Sequence, residues 1–307
     1  MKISTQSPPW AVAIVVCVGV FAISTGSIFV RLAIDAAGMQ GVGFSLVISA
    51  SRLSIAALLL ASTWRNIAWR SLQPGAVLHG VGAGICLAFH FATWITSLSY
   101  TSIAASTTIV TTSPIWVAIL AWFWLREKPS KLTLFGIAIA LSGGIIIGLG
   151  EGASADISSH PILGNSLALI GAWAVAFYLM LGREAQQRGL KIGGYAAIAY
   201  TVAALVLLPL PFLFGVGYTS YPNIVYVYLI LMAILPQLIG HTSFNWAVNR
   251  TSPTLVTLAI LLEPVGASIL AYFLFGEIPA IPVLLGAIVM IVGVAIATIG
   301  KNNTGDL

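Results

Sequence analysis

Charge is what this sequence has least of. Of 307 residues, 13 are Lys or Arg and 8 are Asp or Glu, 7% in all, against about 25% in ordinary soluble domains. So few charges cannot build a water-exposed globular surface. With 59% hydrophobic residues and a mean hydropathy of +1.03, the chain suits lipid instead. Cysteine is scarce too. Cys17 and Cys86 both sit in apolar runs, where a lone Cys is a small packing residue, and there is no disulfide framework or C-x-x-C. No G-x-x-x-x-G-K-[ST] loop occurs, which excludes ATP hydrolysis by this chain. No His, Cys, Asp or Glu cluster has ligand spacing, so neither a metal nor a cofactor is expected. The net charge of +5 does not point to nucleic acid, because the basic residues lie singly in short loops.

What is there is apolar sequence in ten runs, at about 10–32, 42–63, 75–97, 102–124, 132–150, 162–182, 193–215, 223–246, 253–275 and 281–300. Each is continuously apolar rather than alternating, which predicts helices and not barrel strands. The run opened by Trp10 is too long for a signal-peptide core and is expected to remain as the first helix. With a cytoplasmic N-terminus, 11 of the 13 cations fall in inner loops, leaving Arg31 and Arg52. Lys/Arg asymmetry sets orientation, so both termini are expected in the cytoplasm. The fold class is an all-α integral membrane protein, and the expected place is the plasma (inner) membrane.

The two halves of the sequence repeat. Between 94–150 and 244–300, 15 of 57 positions are identical without a gap. Pro114 pairs with Pro264, Glu127-x-Pro129 with Glu277-x-Pro279, and Gly136, Gly143 and Gly150 with Gly286, Gly293 and Gly300. Apolar composition alone does not explain paired Pro, Glu and Gly at one register. The reading is two five-helix units, 10–150 and 162–300. Five is odd, so the second unit enters the membrane from the opposite side. The loop charges agree: Arg126, Lys128 and Lys131 surround Glu127, whereas no cation stands around Glu277. Inverted repeats suit secondary transporters, whose halves exchange conformations to open alternately to each side.

The "REKP" and "GEIP" turns, with "HFATWITSLSYTSIAASTTIVTTSPIW" at 90–116 and "SPTLVTLAILLEPVGASILAYFLFGE" at 252–277, resemble the drug/metabolite transporter superfamily. Within it they resemble the ten-helix EamA-type permeases, over nearly the whole chain. The resemblance implies ten helices around a central cavity, with the fifth and tenth spans at the periphery. It also implies export of small metabolites, from amino acids to amphipathic or aromatic compounds, without identifying the cargo. A facilitator of the same fold is the alternative. An intramembrane lipid-modifying enzyme would need clustered acids or histidines near one interface, which this sequence does not have.

Polar residues inside spans are costly and need partners. Arg52, mid-way along the second span, is either a counter-ion for an anionic cargo group or half of a structural ion pair. Glu263, just before Pro264, either carries a coupling proton, pairs permanently with Arg52 or serves as a partner at the helix break. Pro114 and Pro264 each free a backbone carbonyl in the preceding turn and mark candidate helix breaks. His90 and Trp94 share one helix face at i, i+4, as do His241 and Asn245, next to Trp246. Trp173, Phe177 and Tyr178 offer an aromatic wall or plain packing. Thr25, in Ser24-Thr25-Gly26-Ser27, is a pocket candidate. The candidate cavity is therefore Thr25, Arg52, His90, Trp94, Trp173, Tyr178, Asn245 and Trp246. The seven-spaced glycines of the fifth and tenth spans serve either internal packing or a homodimer contact.

Overall fold

The computed structural model describes residues 8–39, 41–97, 100, 106, 109–110, 112–126, 128–151, 160–276 and 281–302. Thr107, Thr108, Thr111, Glu127, Glu277 and Pro279 lie outside them, as does the side chain of Pro264. All regular structure among the described residues is helical. In chain order it comprises α1 (Pro9–Ala37), α2 (Val42–Leu59), α3 (Ala76–Ser97), α4 (Ser113–Leu125), α5 (Lys131–Glu151), α6 (Pro161–Gln187) and α7 (Ile192–Leu207). There follow α8 (Asn223–Val248), α9 (Pro253–Ile260), α10 (Glu263–Phe275) and α11 (Ile281–Asn302). Seven helical stretches are long and apolar enough to cross a membrane, and three shorter apolar helices accompany them: Ser113–Leu125, Lys131–Ile146 and Leu284–Ala297.

The helix ends follow local chemistry. Pro9 occupies the first turn of α1, where its missing N–H costs nothing. Gly38 closes the helix at φ 60°, its N–H bonded to Ile34 O. α1 therefore runs past Arg31, beyond the apolar stretch alone. α7 stops at Leu207, short of the expected 215, because Pro209 and Pro211 cannot continue it; a 3₁₀ turn at Pro211–Phe214 follows. The expected ninth span is broken. α9 ends at Ile260, two turn residues intervene, and α10 starts afresh at Glu263 with Pro264 in its first turn. α4 begins in the same manner at Ser113, with Pro114 in its first turn. α4 and α10 each have 13 residues and each ends on a left-handed residue, Arg126 and Gly276. Those endpoints are the repeat register made visible.

The main core lies between α2, α3, α6 and α7, around Leu53, Leu87, Phe91, Tyr178, Tyr195 and Tyr200. A second cluster joins α1 to α2 and α8 through Phe44, Val47, Ile48 and Val225. α5 and α11 pack mainly on each other. A Cβ on Gly143 would strike Gly286 O and the Met290 backbone, and one on Gly293 would strike Ala140 and Gly136 O. As numbers rise along α5 they fall along α11, so the two helices cross antiparallel. Their glycine faces are buried inside the chain.

Candidate functional site

Arg52 is 5% exposed and belongs to α2. Its guanidinium carbon stands 4.5 Å from the centre of the Phe91 ring. The Nε is buried without a hydrogen-bond partner. Among the described residues Arg52 forms no ion pair with a carboxylate. Glu263 is nonetheless near enough for the two charges to act on each other, and so are Tyr178, Tyr200, His90 and His241. The permanent Arg52–Glu263 bridge considered from sequence is thus not formed here.

α3 supplies the ring under this cation and the wall beside it. His90 Nδ1 lies 2.9 Å from Gly171 O of α6, which needs the proton on Nδ1 and leaves Nε2 as an acceptor. The imidazole stacks on Trp94 at 5.8 Å and 11°. The Trp94 indole Nε1 is buried without a partner. Gly171 allows this approach, for a Cβ there would lie 3.2 Å from Trp94 Cβ.

α8 supplies the polar side opposite. Pro236 sits inside a π-helical stretch, Ala233–His241. Proline removes an i→i−4 bond, and the wider π turn takes up the strain. Gln237 follows at 0% exposure, with neither carboxamide atom bonded. Tyr200 of α7 donates to Gln237 O or pairs with Thr242 Oγ1 at 2.9 Å. His241 meets Phe91 edge-on at 5.7 Å and Tyr178 at 6.4 Å. Asn245 Nδ2 donates to Tyr178 Oη and to His241 O. Arg52, His90, Trp94, Tyr178, Asn245, His241 and Glu263 therefore share one interior region.

Of the remaining candidates, the two tryptophans have other surroundings. Trp246 packs beside Ile23, Phe244 and Val256, under the guanidinium of Arg250 at 4.0 Å. Trp173 is 42% exposed on a stripe with Ile170 and Phe177, its ring edge-on to Trp116 at 5.3 Å. Thr25 is buried and donates to Ala22 O within α1. Its neighbour Ser24 reaches both Val20 O at 2.8 Å and Glu263 O at 3.1 Å. Pro114 is buried in the first turn of α4. A cavity of about 410 Å³ lies on another face of α2, lined by Ser51, Ser54, Leu208, Tyr218 and Leu229. It is almost wholly apolar and holds none of the candidate groups.

Sequence reasoning missed Gln237, Tyr195, Tyr200 and Gln186. One signal was legible: Pro236 interrupts an apolar run just as Pro114 and Pro264 do.

The EamA-like transporter family model matches residues 10–149 and again residues 162–299. A protein of Streptantibioticus cattleyicolor named "Probable terminal-alkyne amino-acid exporter" is 26% identical over 280 residues, 89% of each chain. An "Uncharacterized transporter" of Archaeoglobus fulgidus is 25% identical over 227 residues, covering 73% of this chain and 75% of that one. A solved crystal structure superposes with a TM-score of 0.77 over 97% of this chain and 99% of its own, at 16% identity. That last likeness concerns the fold alone. Two matches to one family, covering both halves of an all-helical, multi-pass membrane chain, settle the matter: this protein belongs to the EamA-like transporter family.

Proposed function

We propose that the chain is a secondary active transporter that exports small metabolites by alternating access, exchanging them for protons. In this reading ten spans form two inverted five-helix repeats around a central path, with both termini in the cytoplasm and the protein in the plasma (inner) membrane. The cargo carries a carboxylate and an apolar or aromatic body, as an amino acid does. The exporter name of the Streptantibioticus relative supports that class.

The observation that carries the reading is Arg52, which is buried, rests on the face of Phe91 and has no carboxylate partner among the described residues. An unpaired buried cation is costly, by several kcal/mol in effective terms. A cation–π contact returns only about 0.5–2 kcal/mol. The missing anion is the cargo. Trp94 beside His90 supplies the apolar wall, and Glu263, in the first turn of α10, is the proton carrier.

Proteoliposomes with an imposed pH gradient test this, screening amino acids and amphipathic carboxylates for saturable, gradient-driven accumulation. Arg52→Gln should raise the half-saturating concentration roughly 10–100-fold, the worth of a hydrogen bond to a charged group. Glu263→Gln should equilibrate cargo without accumulating it. Wild-type flux that only equilibrates would make the protein a facilitator. pH-driven accumulation that survives Glu263→Gln would remove that residue from coupling.

A further inference from the structure

At the end of the bundle that carries the turn between α6 and α7, α6 and α8 are stitched together by side chains. Gln186 of α6 is 7% exposed and donates its Nε2 to Asn245 O of α8 at 2.7 Å. That carbonyl is among the last four of α8, which have no partner inside their own helix. Asn245 reciprocates, donating Nδ2 to the hydroxyl of Tyr178 on α6. Tyr195 of α7 stacks on Tyr178 at 6.5 Å. Gly182 leaves the space for this, because a Cβ there would collide with the Tyr195 phenol. Tyr178, Tyr195 and Asn245 are all 0% exposed. Two helices are thus joined one turn beyond His241, at the edge of the interior region toward the α6–α7 turn.

The repeat register gives the corresponding place at the opposite mouth. Gly19 of α1 meets Phe244 and Ser243 as Gly171 of α6 meets Trp94 and Thr93, so α1 and α6 correspond at 152 positions while α3 and α8 correspond at 150. There Tyr178 becomes Gly26, Gln186 becomes Ile34 and Asn245 becomes Ile95. None of these side chains can hydrogen-bond. Ile95 is 8% exposed. The backbone is duplicated, but the polar bridge belongs to one repeat only.

We propose that the Gln186–Asn245–Tyr178 bridge is a gate that holds one mouth of the transport path shut, and that it has no counterpart at the repeat-related positions of the other mouth. Opening the first breaks side-chain hydrogen bonds and uncovers the Asn245 carbonyl to water. Opening the second breaks no such bridge at Gly26, Ile34 and Ile95. Alternating access therefore passes between two chemically unlike gates, and weakening the bridge biases the protein toward the state open at the α6–α7 end. This rests on the alternating-access reading above.

The test places a reporter thiol at His241→Cys in a background of Cys17→Ala and Cys86→Ala. A membrane-impermeant maleimide is then applied from the α6–α7 side in sealed vesicles. Adding Gln186→Met keeps the length of the side chain and removes its donor; the expected result is a labelling rate raised about tenfold, the size of one lost hydrogen bond to a buried group. Spin labels at Gln187→Cys and Asn249→Cys give a second readout that leaves the interior intact. Gln186→Met should enlarge the population with the longer separation. A folded Gln186→Met protein, judged by its melting curve, with unchanged labelling and unchanged spin distances would overturn the gate. A background protein labelled from neither face, even with transportable cargo present, would overturn alternating access itself.

Discussion

Phe91 and His241 stand 150 positions apart, occupy the same place in the two repeats, and touch: their ring centres are 5.7 Å apart and their planes meet at 70°. Two positions related by an internal two-fold axis can meet only where that axis passes. The contact therefore places the axis between α3 and α8. The antiparallel crossing of α5 and α11, where Gly143 and Gly293 each face the other helix, marks a second point on it. The axis relates the backbones but not the chemistry. Phe91 offers its face to the Arg52 guanidinium, while His241 offers a polar ring to Phe91 and Tyr178.

Phe91 thus has two tasks, filling the core at 1% exposure and seating Arg52, and two substitutions separate them. Phe91→Ala should destabilise by about 3–5 kcal/mol, as expected for emptying a buried aromatic site. Phe91→Leu should retain most of the stability, within about 1.5 kcal/mol, yet lose the ring face under the cation. Melting curves in detergent read the first effect. Cargo affinity of the folded Phe91→Leu protein reads the second, and unchanged affinity would show that the ring serves packing alone.

The connection between α7 and α8 supplies a pH prediction. Tyr218 Oη donates to Leu208 O at 2.8 Å. Burial, with a smaller contribution from Tyr221, pushes its phenol up to about 12. A folded-state value above the ordinary 10 means that the fold favours the protonated form. The stabilising effect is complete below pH 10 and is lost as pH rises through 12. In a 295 nm absorbance titration, the difference between wild type and Tyr218→Phe should therefore rise near pH 12. A difference that rises near pH 10 would show that the loop does not hold this phenol.

The repeat was legible because proline, glycine and glutamate carry backbone meaning that leucine and valine do not. Pro114 and Pro264 were read as helix breaks, and α4 and α10 both begin beside them. The site was legible only in part. Arg52, His90, Tyr178 and Asn245 were visible as polar groups in apolar runs, and they meet. Trp173, a candidate by helix-face arithmetic, and Trp246, a candidate as the neighbour of Asn245, lie elsewhere. In a membrane helix the lipid face and the packed face are both apolar, so the periodicity that separates inside from outside in a soluble helix is weak. Gln237 was hidden for a different reason. The π stretch around Pro236 re-aims the residues that follow, and a helix wheel drawn at 3.6 residues per turn misplaces them.

The glycines of α5 and α11 allow a direct test of where helix packing is spent. At Gly293 an added Cβ would meet Ala140 N and Cα and Gly136 O, and at Gly143 it would meet Gly286 O and Met290 N and Cα. These are backbone atoms, which cannot swing aside as a side-chain tip can. Gly293→Val must therefore push the two helices apart, with the roughly 1–3 kcal/mol penalty of overpacking. Because both glycine faces are covered within one chain, the variant should melt earlier while keeping the particle size of the wild type. Had the same faces built a homodimer, Gly293→Val would instead elute as a smaller particle, with the melting of each chain little changed. Light scattering coupled to size exclusion, run beside a thermal melt, distinguishes the two. None of the candidate cavity side chains belongs to α5 or α11, although Leu261, Leu262 and Val265 around Glu263 pack against the pair, so transport by the folded fraction should persist below the lowered melting point.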